Sequence, residues 1–115
     1  GARLKTTSGL SYEVVKQGTG AAVQQDAEIE LHFAGWQANG RLFEESYSKG
    51  LPLSFAVSDA KVIKAWTEGL QLMREGSVYR FVVPPALGYG TLGNPGLGIG
   101  PNRVLYFHIE VLRVL

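Results

Sequence analysis

Apolar and polar positions alternate along most of the chain. Over residues 28–33 the alternation puts Ile29, Leu31 and Phe33 on one face and Glu30 and His32 on the other, which is the period of a half-buried strand. Residues 103–115 repeat it, with Leu105, Phe107, Ile109 and Val111 facing one way. The shorter run Ser11–Lys16 is closed by Gly18-Thr19-Gly20, and residues 52–57 and 78–83 read as two further strands. Asn39-Gly40 predicts a type I′ turn joining the strand from Glu28 to Arg41-Leu42-Phe43, because both central residues of that turn need positive φ.

One segment departs from the alternation. Between residues 58 and 76, Val62, Ile63, Trp66, Leu70 and Met73 recur at steps of three and four, predicting a helix with Ser58 or Asp59 as its cap and Gly76 as its stop. Gly69 weakens such a helix by about 1 kcal/mol relative to alanine, so tertiary packing must hold it. One amphipathic helix among five or six antiparallel strands predicts an α+β domain in which a curved sheet wraps around the helix.

Length and composition narrow the function classes. The 115 residues fit one domain with a real core, and 11 basic against 10 acidic residues argue against nucleic acid as the main ligand. With no cysteine, disulfides, thiolate nucleophiles and sulfur-ligated metals are all excluded. No apolar run approaches the roughly 18 residues of a membrane span, and no signal peptide is visible. Gly1-Ala2 reads as a cloning remnant at the head of an N-terminal arm, residues 1–8, before a domain of residues 9–115.

Candidate chemistry is sparse. His32 and His108 occupy outward positions of alternating strands, which favours a surface role over catalysis or metal binding. Glu44 and Glu45 are neighbours in an extended segment and point to opposite faces, so they do not form a paired-carboxylate site. The stretch GYGTLGNPGLGIGP, residues 88–101, opens as G-x-G-x-x-G, but no helix follows the glycines to bind a phosphate. Asn94, preceding Pro95, is restricted to extended conformations, and Gly96 suits the left-handed site of a type II turn. The segment therefore reads as a long apolar loop carrying Tyr89, Leu92, Leu97 and Ile99, of the kind that lines a pocket. An enzyme built on this chain is expected to work without nucleophile, metal or cofactor.

Aromatics are the remaining resource. Phe33, Phe43, Trp66, Tyr89 and Phe107 each fall on an inward strand position, on the buried stripe of the helix or in the apolar loop. Taken singly each reads as core; together they exceed what one small core needs.

The strings GRLFEES, KVIKAWTEGLQLMREG, PPALGYG, GNPG and LYFHIEVL, in this order, resemble the FKBP-type macrolide-binding peptidyl-prolyl cis/trans isomerases along nearly the whole chain. The opening SGLSYEVVKQGTG is similar to the catalytic domain of bacterial macrophage-infectivity-potentiator-like members. The resemblance implies a half-barrel sheet embracing a short helix with a proline pocket between them. It puts Trp66 at the pocket floor, Phe33, Phe43, Tyr89 and Phe107 in the walls, and Val62-Ile63 just before the helix, with the Ile63 N–H bonding a substrate carbonyl. Leu97 and Ile99 would lie on the flap.

Where the family usually has tyrosine, aspartate and an aromatic residue, this chain has Phe33, Glu44 and Leu53. The first two changes remove a hydroxyl and lengthen a carboxylate in the polar network at the pocket edge, bringing Lys49 into consideration as a partner for Glu44.

The implied activity is prolyl isomerisation on peptides or unfolded proteins, with macrolides such as tacrolimus and rapamycin as ligands. The alternatives are a proline-peptide-binding module or holdase that has lost catalysis through the altered edge network, and a fold that tethers a partner by its outer surface. By family analogy the protein is bacterial, periplasmic or at the cell surface, and such members form homodimers through an upstream region absent from this sequence.

Overall fold

The computed structural model describes residues 3–115; Gly1 and Ala2, and with them the reading of a cloning remnant, lie outside the described residues. The chain runs β1 (Arg3–Lys5), β2 (Ser11–Lys16), β3 (Glu28–Gln37), β4 (Leu42–Glu45), β5 (Leu53–Ala56), α1 (Lys64–Leu70), β6 (Val78–Val83) and β7 (Leu105–Val114). All seven strands join one antiparallel sheet: six run in the order β1-β2-β6-β7-β3-β4, and β5 also pairs with β3.

β3 organises this sheet. One of its edges pairs with β7 along the whole strand, from Ile29 opposite Val114 to Gln37 opposite Leu105. The other edge is shared: β5 takes the first half, from Glu28 opposite Ala56 to Leu31 opposite Leu53, and β4 takes the second, around Gly35 opposite Glu44. Between them the chain leaves the sheet through a short 3₁₀ turn, Tyr47–Lys49, and returns. The sheet thus has one strand more than the sequence predicts, because Arg3–Lys5 adds to the edge of β2.

Alternation buries the faces as expected. Ile29, Leu31 and Phe33 of β3, Phe81 and Val83 of β6, and Leu105, Phe107, Ile109 and Val111 of β7 all turn inward, where they meet Ala65, Trp66 and Leu70 of α1. Each fully buried large aliphatic side chain contributes about 1.5–3 kcal/mol through removal from water.

The helix is shorter than its sequence period. Asp59 Oδ1 accepts from the Lys61 N–H and Asp59 O from the Val62 N–H, forming a turn, and Ile63 is extended (φ −61°, ψ 150°). Neither Ser58 nor Asp59 caps α1; Ile63 stands at that position, and only at Lys64 does the helix begin. At the other end the chain leaves α1 after Leu70, and Gly76 (φ 91°) serves a turn before β6 instead of stopping the helix. Met73 stays on the apolar period because the turns after α1 keep it against the core.

The Asn39-Gly40 turn also differs in type. Gly40 has φ 87° but Asn39 does not enter the positive region; the Gly40 N–H bonds Gln37 O and the Arg41 N–H bonds Asn39 Oδ1. This matches a type I turn followed by a left-handed glycine, and the β3–β4 register shifts between Gly35 and Trp36.

Gly69 has a packing reason. A Cβ there would sit 2.8 Å from Phe81 Cε1 and 3.3 Å from Leu10 Cδ2, and both neighbours are locked in the core. The helix thus gives up propensity to approach β6 closely. Gly69→Ala gains about 1 kcal/mol of helix propensity but overpacks a closed core at a cost of about 1–3 kcal/mol. A net loss of stability in urea melts is the expected outcome; a more stable variant would show that the close approach is not limiting.

Candidate active site

The mouth of the half-barrel holds an apolar hollow of about 170 Å³ between the sheet, the start of α1 and the long loop before β7. Its floor is Trp66. The indole meets Phe33 and Phe107 edge to face, with centroids 5.0 and 5.5 Å away at 78° and 79°, and stacks on Phe55 at 5.8 Å and 29°. Edge-to-face contacts bring positive ring edges onto negative faces, which adds to the area buried and fixes the rings relative to one another. Val62, Ile63 and Tyr89 also line the hollow, with Leu53, Glu44 and Lys61 at its rim.

The residues predicted from sequence divide into two groups. Phe33, Glu44, Leu53, Val62, Ile63, Trp66, Tyr89 and Phe107 border the hollow; Phe43, Leu97 and Ile99 do not. Phe43 stands behind the wall, edge to face with Phe107 at 5.7 Å. Gly35 makes room for that pair, since a Cβ there would lie 2.7 Å from Phe43 and 2.8 Å from Phe107.

Ile99 is an anchor. It is 3% exposed and packs in the core, while its backbone pairs with Asn94 in both directions at 3.0 and 2.8 Å, closing the loop on itself. Leu97 packs against the same core from a 3₁₀ turn, Pro95–Leu97, whose N–H at Leu97 is capped by the Asn94 side chain. Asn94 is extended as expected, but the left-handed residue is Gly98 (φ 73°), not Gly96, because Gly96 lies inside that turn.

Two residues at the hollow were missed. Phe55 follows Leu53 by two positions in β5 and therefore shares its face, which is the signal that would have found it. It restores an aromatic ring to the wall where Leu53 lacks one. Lys61 falls in the turn before α1, where the helical period gave no reason to single it out.

Two polar features mark the site. The Ile63 N–H lies at the helix entrance and makes no hydrogen bond among the described residues, while its carbonyl accepts from Trp66 and Thr67 N–H groups at 3.0 and 3.2 Å. The Tyr89 phenol is pushed above its ordinary pKa by burial and then by the charge of Glu44, with Asn94 acting weakly in the opposite sense. Tyr89 is thus held as a neutral hydroxyl. Glu44 itself is exposed and forms no ion pair with Lys49, whose charge instead acts on Glu45.

Behind the site, Ser46 holds Phe33 in place. The buried Ser46 Oγ accepts from the Phe33 N–H at 2.8 Å, and the Ser46 N–H donates to Phe33 O at 2.9 Å. His32 Nδ1 reaches the same hydroxyl at 2.8 Å from the outer face of the sheet and stacks on Tyr47, whose phenol is pushed up to about 12 by burial and its bond to Glu110. His108 is on that outer face too, its pKa lowered by burial and by Arg80. Neither imidazole faces the hollow.

A short helix entered through Val62-Ile63, an indole floor and an aromatic half-barrel wall agree with the resemblance drawn from sequence, and comparison decides the family. The profile of the FKBP-type peptidyl-prolyl cis-trans isomerases matches residues 19–112. The chain belongs to that family. A probable FKBP-type peptidyl-prolyl cis-trans isomerase of Haemophilus influenzae is 42% identical over 115 residues, covering 99% of this chain and 46% of that protein. The peptidyl-prolyl cis-trans isomerase Mip of Coxiella burnetii is 37% identical, covering 93% and 45%. The chain therefore spans less than half the length of these relatives. The crystal structure of AtFKBP13 superposes with a TM-score of 0.91 at 31% identity over 99% of both chains. The FKBP fold and the kinship with Mip-type members both hold.

Ser46→Ala removes the acceptor of a buried N–H, which costs about 1–3 kcal/mol. Lower stability together with faster hydrogen exchange at the Phe33 amide is the expected result. An amide as protected as in the parent would mean that strand pairing alone positions Phe33.

Proposed function

We propose that this chain catalyses cis/trans isomerisation of X-Pro bonds in peptides or unfolded proteins, with residues 9–115 as the working domain and residues 1–8 as an arm. The observation that supports this most directly is the Ile63 N–H, which has no partner among the described residues, beside a hollow floored by Trp66. A cavity of about 170 Å³ has room for several waters at about 30 Å³ each, and so for a five-membered ring that displaces them.

Rotation about an X-Pro bond crosses a barrier of about 20 kcal/mol through a twisted amide that has lost conjugation. No covalent step is needed. The prolyl ring enters the hollow among Phe33, Phe55, Trp66 and Phe107, the Ile63 N–H holds a substrate carbonyl, and Tyr89 supplies a neutral hydroxyl at the rim. Val62 and Leu53 border the flanking residues, and Glu44 acts through its charge beside Tyr89.

The twisted amide is less dipolar than the planar one, so an apolar wall favours it relative to water. A thousandfold acceleration requires about 4 kcal/mol. One hydrogen bond at about 1 kcal/mol does not supply that, so desolvation and shape carry most of it. Macrolides that present a cyclic amide would compete for the same hollow.

The deciding measurement is the isomerisation rate of a short X-Pro peptide with and without tacrolimus. Acceleration at micromolar protein, suppressed by the macrolide, is expected; macrolide binding without acceleration would favour the holdase reading.

The pH profile tests the absence of acid–base catalysis. Tyr89 keeps its proton beyond the ordinary phenol value, and both imidazoles lie on the outer face, so kcat/KM on an uncharged peptide should stay flat from about pH 6 to about pH 9. A bell-shaped profile in that range would reveal a proton transfer that this mechanism lacks.

A further inference from the structure

The hollow does not end at Ile63. A shallow groove of about 440 Å³ continues from it, with Ala60, Lys61 and Lys64 on one bank and Ala86, Thr91 and Leu92 on the other. Val62, Ile63 and Tyr89 border both spaces and form the sill between them. An extended chain advances about 3.3 Å per residue, so a peptide with its prolyl ring in the hollow lays its next one or two residues in this groove.

The groove has one sign of charge. Lys61 and Lys64 line it, both exposed, and no carboxylate does. Among the described residues neither ammonium group makes an ion pair or a side-chain hydrogen bond: Asp59, two residues before Lys61, engages the Lys61 backbone N–H, and Glu68, four residues after Lys64, accepts from the Ser8 hydroxyl. Glu44 borders the hollow but not the groove. Isolated surface lysines are usually just solvated. Here two line the groove that adjoins the hollow, and Lys61 borders the hollow as well.

We propose that this groove selects X-Pro segments carrying aspartate or glutamate within two residues of the proline, on one side of it, with the carboxylate meeting Lys61 and Lys64. The proposal rests on the isomerase reading and gives it a substrate class. Both ammonium groups are in contact with water, so the attraction is moderate and screened by salt. A preference of about three- to tenfold for an acidic over an uncharged flank is the scale that such contacts produce.

The test uses fluorescein-labelled peptides with alanine, aspartate or lysine at each of the two positions before and after a single proline. Affinity is read by anisotropy and turnover by the isomerisation assay, at about 20 mM and about 500 mM salt. The parent should bind the aspartate peptides about three- to tenfold more tightly than alanine on one side of the proline only, with lysine weakest, and high salt should flatten the series.

In Lys61→Gln/Lys64→Gln the ratio should fall to about one, and in Lys61→Glu/Lys64→Glu it should invert, a gain that a misfolded variant does not show. A parent ratio of one at low salt, or a preference unchanged in both double variants, overturns the proposal. Turnover of the alanine peptide is read separately, and its absence counts against the isomerase reading while the affinity ratio still decides the groove.

Discussion

The site depends on where one indole ring is held. Trp66 is pressed edge-on by Phe33 and Phe107 and faced by Phe55, and these four rings come from three strands and the single helix. Moving any of the four elements by an ångström would either fill the hollow or open it to water. The surrounding packing can therefore be understood as a set of devices that fix distances between backbones. Gly69 lets α1 sit against Phe81, Gly35 lets Phe43 and Phe107 meet across β3, and Ser46 ties Phe33 to the end of β4. Each device shortens a separation that a larger side chain would widen.

The same logic explains why the loop before β7 is rich in glycine. Gly93 approaches within 2.5 Å of the Ile99 carbonyl when a Cβ is added, and Gly98 turns through positive φ so that Ile99 can return to pair with Asn94. The loop is apolar because Ile99 and Leu97 fasten it to the core. Fastened in this way, it presents Tyr89 to the hollow, while Leu92 stays 87% exposed on the bank of the neighbouring groove.

Strands were legible in the sequence because a sheet with one wet face imposes a period of two, and β6 and the inward set of β7 follow it residue by residue. Less was legible where an irregular backbone keeps a regular burial pattern. Val62 and Met73 share the helical stripe while lying outside α1, so periodicity alone overextended the helix at both ends. The identity of the wall was partly readable: ring positions in alternating strands followed from spacing, but Ile99 looked like lining because a buried anchor and a pocket residue are equally apolar. Lys61 was invisible for the opposite reason. A charge in a turn has no period, and only the fold shows that it lies beside the hollow.

The polar groups of the site indicate where rate enhancement would come from. The Ile63 N–H, the Tyr89 hydroxyl and the buried Trp66 Nε1–H, which has no partner among the described residues, are all donors. A donor that binds a carbonyl adjacent to the rotating bond grips the planar and twisted forms nearly equally, and uniform binding lowers KM without raising kcat. A donor aimed at the rotating carbonyl would even favour the planar, more dipolar state. The selective element in the proposed reaction is then the dry aromatic wall, since only the change in amide polarity between the two states distinguishes them. Phe33 fits that assignment: where a tyrosine would bring a hydroxyl to the edge of the wall, a phenylalanine leaves it apolar, and catalysis by desolvation loses nothing by the exchange.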